Sequence, residues 1–235
     1  MADTGLTLSE LDALCAFDTP TICNALERLA PQTQARGYTT QPIVCGFPQM
    51  RPVIGYARTA TLRSAQRGSL SDADNRALRD DYYRSVGTGP RPALVVIQDL
   101  DENPGTGAFW GEVQSAIHVG LAVRGLITNG SVRDLDQWAP GFQFLAGRIS
   151  ASHAYARPVG VGGDVDVFGM RVRQGDLIHA DRHGAVIVPP ALVRALPDAA
   201  REVAAREARI LAVARGPGCT AEKLIDVFAH LDAIH

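Results

Sequence analysis

Apolar residues fall into short runs in the middle of the chain and into helical repeats near its ends. Residues Val53–Arg63 alternate and are rich in β-branched side chains, which predicts a strand. Ala93–Gln98 and Leu126–Thr128 are continuous apolar runs, as expected for buried strands. Between them, Ala108–Val123 has apolar residues at spacings of four, which predicts an amphipathic helix with Phe109, Val113, Ile117 and Leu121 on one face. A strand, a Gly-rich turn, a helix and a strand form a βαβ unit, so part of the sheet is predicted to be parallel.

Three short helices are predicted before this unit, two of them near the N-terminus. Thr7–Glu10 has the pattern of a capping box, and Thr19 stands as a cap residue before a proline at the first helical position. The stretch 32–52 is rich in Gly, Pro and Thr and is expected to be loop. The polar stretch 68–89 predicts a loop with a short helix around Asn75–Arg84.

The second half of the chain has a different pattern. Short runs separated by Gly and Asp turns predict β-ribbons or a barrel. The runs are Phe142–Ala146, Val165–Phe168, Met170–Val172, Asp176–His179 and Ala185–Val188. Pro190–Ala214 predicts a helix interrupted near Pro197, and Thr220–His230 predicts a short terminal helix. Because no repeat or low-complexity linker divides the chain, residues 1–235 are expected to form a single α/β domain with helical ends.

Composition and charge exclude several classes of function. The chain of 235 residues has a formal net charge of -2 and no block of Lys and Arg, so we expect no nucleic-acid partner. No apolar run is long enough to span a bilayer, and the polar residues 1–10 lack an export signal, so no membrane partner is expected. Four cysteines without paired spacing favour a reduced, cytoplasmic location.

The basic residues restrict the chemistry. Of the 23 Lys and Arg residues, Lys223 alone is a lysine, and it lies in the predicted terminal helix. Schiff-base chemistry requires a lysine amine. Any carbonyl chemistry is therefore expected to depend on arginine and a metal ion.

The segment 99–136 contains the residues best suited to such chemistry. Glu112 lies in the first turn of the predicted helix, and Arg133 and Asp134 follow the strand after it. In an open parallel sheet, ligands bind where strands end at their carboxyl termini, so the two loops can converge on one crevice. Two carboxylates suit a hard divalent cation, and the guanidinium suits a substrate carboxylate or enolate. The alternatives are compensation of the helix dipole by Glu112 and a local Arg133–Asp134 ion pair.

Other patterns carry weaker signals. The turn Asn103–Gly107 between the predicted strand and helix could hold a carboxylate or phosphate, but its glycine spacing does not fit a dinucleotide fingerprint. His179 and His183 could share one face of a strand as zinc ligands, although a plain turn is the simpler interpretation. His118 is expected to be a surface histidine.

Several motifs together resemble one family. Gly125–Asp134 is similar to the Gly-x-x-x-x-Gly-x-Val-Arg-Asp signature of the RraA-like family, and Gly111-Glu112 resembles the Gly-Asp/Glu of its substrate loop. Thr19–Leu26, Ile54–Ala60 and Gln174–Pro189 resemble further segments in the family's order. The family includes class II 4-hydroxy-4-methyl-2-oxoglutarate / 4-carboxy-4-hydroxy-2-oxoadipate aldolases and the RraA regulators of ribonuclease E.

This resemblance implies a fold and an assembly. It implies a three-layer β/β/α swivelling-domain-like fold over a core of about 19–190, with extra N-terminal helices and a helical C-terminal extension of about 190–235. It also implies a homotrimer or a dimer of trimers, with sites between subunits.

The resemblance also implies site residues. Asp134 corresponds to the aspartate that anchors Mg²⁺ or Mn²⁺, with Glu112 as a second carboxylate near the metal. Arg133 is implied to bind the 2-oxo acid and to stabilise the enolate, with Arg133 and Glu112 as catalytic residues. The loop residues Gly111, Glu112, Val113 and Gln114 are implied to bind the substrate carboxylate.

A function follows from these matches. The chain is expected to be a metal-dependent aldolase that cleaves a 4-hydroxy-2-oxo acid to pyruvate, with oxaloacetate decarboxylation as a side activity. The alternative is a non-catalytic regulator that binds ribonuclease E or helicases. The chain departs from the family pattern at Glu112, at His183, at the Phe109-Trp110 pair and in the polar segment between Arg63 and Arg91. These departures leave the substrate open, and another 2-oxo or hydroxy acid is an alternative.

Overall fold

A curled, mixed β-sheet forms the centre of the computed structural model, which describes residues 5–232. The strands in that range are β1 (Val44–Cys45), β2 (Val53–Arg63), β3 (Ala93–Asp99), β4 (Ala108–Trp110), β5 (Val123–Val132), β6 (Gln143–Ile149), β7 (Arg157–Val161), β8 (Val165–Val167), β9 (Met170–Val172), β10 (Leu177–Asp181) and β11 (Gly184–Ile187). The main sheet has the order β1-β6-β5-β3-β2-β10-β11, with β4 paired to β5 and β7 paired to β2. Strands β2, β3, β5 and β6 are adjacent in the sheet and run parallel to one another. The parallel pair β3 and β5 confirms the predicted βαβ unit.

Helices cover one side of the sheet and its β10–β11 end. They are α1 (Leu8–Leu14), α2 (Thr19–Leu29), α3 (Asp72–Gly87), α4 (Glu112–Gly120), α5 (Leu196–Ala214) and α6 (Ala221–Asp232) within the described range. Single 3-10 turns lie at Pro31–Thr33, Leu135–Gln137 and Pro190–Leu192.

Three layers result because β3 is buried on both faces. Ala93, Val95 and Ile97 pack into the cluster that includes Tyr82 and Val86 of α3. The intervening Leu94 and Val96 pack against the separate β8–β9 ribbon, through Val165, Val167, Met170 and Val172. The layers are therefore ribbon, sheet and helix, which confirms the expected β/β/α fold class.

The extra terminal helices are also confirmed. Thr7 and Glu10 form the predicted capping box of α1, with the Glu10 N–H 3.2 Å from Thr7 Oγ1. In α2 the cap is Asp18, whose carboxylate accepts from the Thr21 N–H, so the predicted cap at Thr19 was wrong by one residue. Helix α2 packs against α5 at the β10–β11 end of the sheet, and Pro197 lies in the first turn of α5.

The predicted helix Ala108–Val123 was wrong at both ends. Its first residues form β4, Gly111 separates this strand from α4, and α4 ends at Gly120. The predicted apolar face was wrong too, because Val113 is 67% exposed while Ser115 and His118 are buried. His118, predicted at the surface, has its Nε2 2.8 Å from the Tyr82 hydroxyl and its Nδ1 2.6 Å from the Gln114 carbonyl oxygen.

Other predictions were correct in kind but incomplete. The helix predicted around Asn75–Arg84 extends over Asp72–Gly87. In the second half, β8–β9 and β10–β11 are the expected antiparallel ribbons, and the β10–β11 ribbon joins the main sheet through β2. Strand β6 also joins the main sheet, and β7 had not been predicted. Among residues 5–232, no helix combines the length and the apolar character needed to cross a membrane. The single-domain assignment stays a prediction, and its ends, 1–4 and 233–235, lie outside the described residues.

Candidate functional site

Parallel pairing of β4 with β5 brings the two predicted site segments together. Ala108 is opposite Ser131 and Trp110 is opposite Val132, so both strands end at the same edge of the sheet. The Arg133 N–H donates to the Trp110 carbonyl at 2.9 Å and continues the pairing into the loop. As a result, Gly111 and Glu112 at the start of α4 lie beside Arg133 and Asp134 after β5.

The Asp134 carboxylate lies against the N-terminus of α4. Asp134 has a left-handed backbone, with φ of 54°, which turns the chain back toward this helix. Its Oδ2 lies 3.4 Å from the Glu112 N–H and 3.4 Å from Arg133 Nε. The positive end of the helix dipole and the guanidinium both stabilise the negative charge there. Gly111 permits this approach, because a Cβ at that position would collide with Asp134 Oδ2.

A cavity of about 230 Å³ opens in front of this pair. Five residues predicted from the sequence line it: Gly111, Val113, Gln114, Arg133 and Asp134. The Arg133 and Asp134 side chains are 36% and 38% exposed, so both are accessible to a small ligand while remaining anchored.

Glu112 enters the site differently from the prediction. Its backbone N–H faces Asp134, but the Glu112 side chain is exposed and is not among those that line the cavity. The structure therefore brings Glu112 to the site through its backbone. Its roles as a metal ligand and as a catalytic carboxylate stay predictions.

Phe109, His153 and Ala156 also line the cavity and were missed as site residues. Phe109 belongs to the Phe109-Trp110 pair that departs from the family pattern. That departure is the feature of the sequence that could have identified Phe109 as a site residue. The exposed His153 and the half-buried Ala156 come from the loop before β7, which has no periodic pattern. They join the site because β7 pairs with β2, a contact remote in sequence.

Hydrogen bonds connect the first turn of α4 to neighbouring parts of the protein. Ser115 is buried, and its hydroxyl donates to the Glu112 carbonyl at 2.8 Å and accepts from the Ala139 N–H at 3.0 Å. Gln114 Nε2 donates to the Tyr83 hydroxyl oxygen at 3.0 Å. Burial lowers the pKa of His118 to about 4, so this histidine is neutral and its bonds to Tyr82 and Gln114 persist at neutral pH.

The Gly-rich turn before β4 uses two of its N–H groups to bind side chains of the protein itself. The Gly105 N–H donates to the buried Asp99 carboxylate at 2.8 Å, and the Gly107 N–H donates to the Ser64 hydroxyl at 3.0 Å. The turn leads into β4, so the expected direct junction with a helix was wrong. Burial raises the pKa of Asp99, since its charged form loses hydration.

The possible zinc pair of His179 and His183 does not form a cluster. His179 is fully buried, with Nδ1 3.0 Å from Thr19 Oγ1 and Nε2 3.2 Å from the Leu14 carbonyl oxygen. His183 instead contacts Asp181, with Nδ1 3.1 Å from Oδ1. Within residues 5–232, no group of three or more His, Cys, Asp or Glu residues is arranged to hold a metal ion.

A family model described as Aldolase/RraA matches residues 19–187. The chain belongs to the RraA-like family. This family includes both aldolases and inhibitors of ribonuclease E. The match ends close to Pro190 and covers β1–β11 together with α2–α4, while α1, α5 and α6 lie outside it.

Solved structures confirm the RraA-like fold. An uncharacterized protein from Pseudomonas syringae pv. tomato str. DC3000 has a TM-score of 0.66 and 22% identity, over 93% of each chain. RraAS2 of Streptomyces coelicolor, described as an unusual member of the RNase ES inhibitor RraA family, has a TM-score of 0.66 and 18% identity, over 86% of this chain and 95% of that one. No curated protein sequence gives a significant match.

A third relative shows why the fold alone does not decide function. A protein from Geobacillus kaustophilus described as an S-adenosylmethionine: 2-dimethylmenaquinone methyltransferase has a TM-score of 0.51 and 17% identity, over 69% of this chain and 91% of that one. Inhibitor and methyltransferase descriptions thus occur on the same RraA-like fold. The chemistry of this chain has to be argued from its own site.

Asp134 is the residue at which a divalent cation can be tested against the geometry of the site. Asp134 Oδ2 faces Glu112 N and Arg133, whereas its Oδ1 has no hydrogen-bond or ion-pair partner among the described residues. Mg²⁺ keeps several waters and is usually held by one or two carboxylates together with substrate oxygens. One accessible carboxylate oxygen at a cavity suits such a hydrated ion better than an all-protein cage.

Proposed function

We propose that the protein is a divalent-metal-dependent aldolase that cleaves a 4-hydroxy-2-oxo acid to pyruvate and a second carbonyl product. Decarboxylation of oxaloacetate is the proposed side activity, because it yields the same enolate. The observation that carries the proposal is the convergence of Arg133, Asp134 and the α4 N-terminus on one cavity. This arrangement combines a cation ligand with two sources of positive charge for an anionic substrate.

Substrate binding is assigned to the first turn of α4 and to Arg133. The N–H groups at the start of a helix have no acceptor within the helix, and the dipole adds partial positive charge. Val113 and Gln114 present such groups at the cavity, so they suit the carboxylate of the pyruvyl group. The planar Arg133 guanidinium, which lines the same cavity, orients the 2-oxo acid end of the substrate.

The chemical step is a retro-aldol cleavage. Loss of the C4 hydroxyl proton forms the new carbonyl, the C3–C4 bond breaks, and its electron pair is left on the pyruvate enolate. Arg133 stabilises this charge, since a fixed donor aimed at developing charge lowers the barrier. Asp134 would hold Mg²⁺ or Mn²⁺, which supplies Lewis-acid polarisation of the substrate oxygens when bound. A carboxylate near the site has to take up the C4 hydroxyl proton and return a proton to C3 of the enolate, which yields pyruvate. Glu112, whose neighbours on both sides line the cavity, is proposed for this role.

Pyruvate release tests this function. The assay follows pyruvate from oxaloacetate and from 4-hydroxy-4-methyl-2-oxoglutarate, with Mg²⁺ and with a chelator. We expect Asp134→Ala to abolish metal-dependent turnover, and Arg133→Ala to lower it by about 10²-fold or more, because a charge-stabilising donor is lost.

A matched ion pair elsewhere provides the control. Arg171 and Asp164 lie 3.0 Å apart at the exposed β8–β9 ribbon, and Arg171→Ala and Asp164→Ala should retain full turnover. Wild-type activity in either site variant, or pyruvate release that is indifferent to the chelator, would contradict the proposed roles. Absence of pyruvate release from both substrates would contradict the proposed reaction itself.

A further inference from the structure

A second pocket of about 320 Å³ adjoins the cavity of Arg133 and Asp134. The two share Phe109, Gln114 and Ala156 in their walls, so the second pocket lies next to the cavity that Arg133 lines. Helix α3 forms one wall of this second pocket, which we call the α3 pocket. The helix comes from the polar segment between Arg63 and Arg91 that departs from the family pattern.

One face of α3 is turned toward the pocket. The lining residues of this helix, Asp72, Asn75, Arg76, Arg79 and Tyr83, follow each other at steps of three, one, three and four. Such spacing places side chains on one helical face. Two contacts with α4 hold the face in place: the Tyr82 hydroxyl bonds to His118, and the Tyr83 hydroxyl bonds to Gln114.

The α3 pocket has an excess of positive charge. Arg76 and Arg79 from α3 line it together with Arg157 from β7, and Asp72 is the carboxylate in its wall. Arg79 pairs with Asp80, at 2.9 Å. Neither Arg76 nor Arg157 has a carboxylate partner among residues 5–232; Arg157 Nη1 instead donates to the Gln66 and Tyr155 carbonyl oxygens, at 2.7 and 2.9 Å.

We infer that the α3 pocket binds a second anionic group of the substrate, at the end remote from the 2-oxo acid. This inference rests on the proposed function, which places the 2-oxo acid end at Arg133. Guanidinium groups bind carboxylate and phosphate oxygens through charge-assisted, often bidentate hydrogen bonds. The residues of the α3 pocket, above all Arg76, would then select diacids over 2-oxo acids with an apolar tail.

A pair of ligands of equal length tests the selection. 2-Oxoadipate and 2-oxohexanoate share the 2-oxo acid end and differ at the far end, which is a carboxylate in one and a methyl group in the other. Titration calorimetry with Mg²⁺ gives the ratio of their dissociation constants. We expect 2-oxoadipate to bind about tenfold more tightly, as a charge-assisted contact allows. The analogue with a phosphonate in place of the far carboxylate shows which anion the pocket prefers.

Arg76→Gln is the decisive variant, since Arg76 is exposed and makes no bond that the fold requires. It should bring the ratio close to one while 2-oxohexanoate binds as before. Arg84→Gln is the control, because Arg84 lies on α3 outside the pocket and pairs with Asp81. A wild-type ratio near one, or a ratio that Arg76→Gln leaves unchanged, would overturn the inference.

The same titrations separate this inference from the proposed function. Arg133→Gln should weaken both acids alike and leave their ratio unchanged, because the contact it removes is common to both. If Arg133→Gln weakens the binding of neither acid, the proposed role of Arg133 is wrong. The ratio of the two dissociation constants in the wild-type protein and in Arg76→Gln still tests the α3 pocket. If neither acid binds the wild-type protein, both proposals are wrong.

Discussion

A single methyl group at Gly111 tests the geometry of the site. Gly111 has an extended backbone with φ of −168°, which any residue can adopt, so Gly111→Ala acts through its Cβ alone. That Cβ would collide with Asp134 Oδ2 and would lie 3.2 Å from Arg133 Cγ. The Asp134 carboxylate therefore has to move away from the start of α4.

The displacement removes two contacts of Asp134. Its Oδ2 loses the Glu112 N–H and the Arg133 Nε, each 3.4 Å away. A shift of about 1 Å in a positioned group can lower the rate about 10²-fold, so we expect kcat/KM to fall by that factor. Stability should change little, by about 1 kcal/mol or less, because the ion pair is more than a third exposed.

The assay compares pyruvate release with the thermal midpoint of unfolding. Gly120→Ala is the matched control: Gly120 ends the same helix, and a methyl group there would have no other atom within 4 Å beyond its own helix and chain neighbours. It should keep wild-type turnover. If Gly111→Ala folded normally and kept the wild-type kcat/KM, the contact between Asp134 and the α4 N-terminus would have no role in catalysis.

Two further predictions concern the buried polar groups. Tyr82→Phe leaves the buried His118 Nε2 without its partner, so the free energy of unfolding in urea should fall by about 1–3 kcal/mol, whereas Tyr155→Phe at an exposed position should not change it. Burial lowers the pKa of His118 and of His179 to about 4 from the ordinary 6.5. Since the unfolded chain binds more protons between these values, stability should fall as the pH is lowered from 6.5 to 4, and a His118→Phe variant whose pH dependence matched wild type would contradict this reasoning for His118.

Strands of the central sheet could be predicted because both of their faces are covered. Val53–Arg63 was predicted with the bounds of β2, and Ala93–Gln98 misses β3 by one residue. In β3, side chains alternate between the helical layer and the β8–β9 ribbon, so the positions from Ala93 to Ile97 are all apolar. A continuous apolar run is the direct record of that double burial.

Helix α4 shows where the same reasoning fails. The apolar residues from Phe109 to Leu121 keep a helical spacing, but Phe109 lies in β4 and Leu121 follows the end of α4. Val113 is apolar and exposed at the cavity, whereas His118 is polar and buried. The burial of His118 depends on the hydroxyl of Tyr82, which lies 36 positions earlier on another helix. Local periodicity cannot predict a hydrogen-bond partner so distant in the sequence.

Much of the candidate site followed from topology and motif together. The prediction placed the loop to Glu112 after the strand Ala93–Gln98, and Arg133 and Asp134 after the next parallel strand, so that both loops could meet at one edge of the sheet. In the structure they do meet there, but through the pairing of β4 with β5, and β4 had been assigned to the helix. Of the residues that were missed, His153 and Ala156 enter through the pairing of β7 with β2. Strand pairs so remote in sequence depend on how the sheet curls, which the order of motifs alone does not determine.

The backbone of Asp134 connects the fold to the proposed chemistry. A left-handed conformation outside glycine costs of order 1–3 kcal/mol, and aspartate tolerates it better than most residues. Here the conformation directs the carboxylate to the N-terminus of α4 and to Arg133, and both contacts offset part of the cost. The other oxygen, Oδ1, then has no hydrogen-bond or ion-pair partner among the described residues, and Asp134 lines the cavity. Local strain at this turn is therefore what allows one short segment to present a cation ligand and a substrate-binding guanidinium side by side.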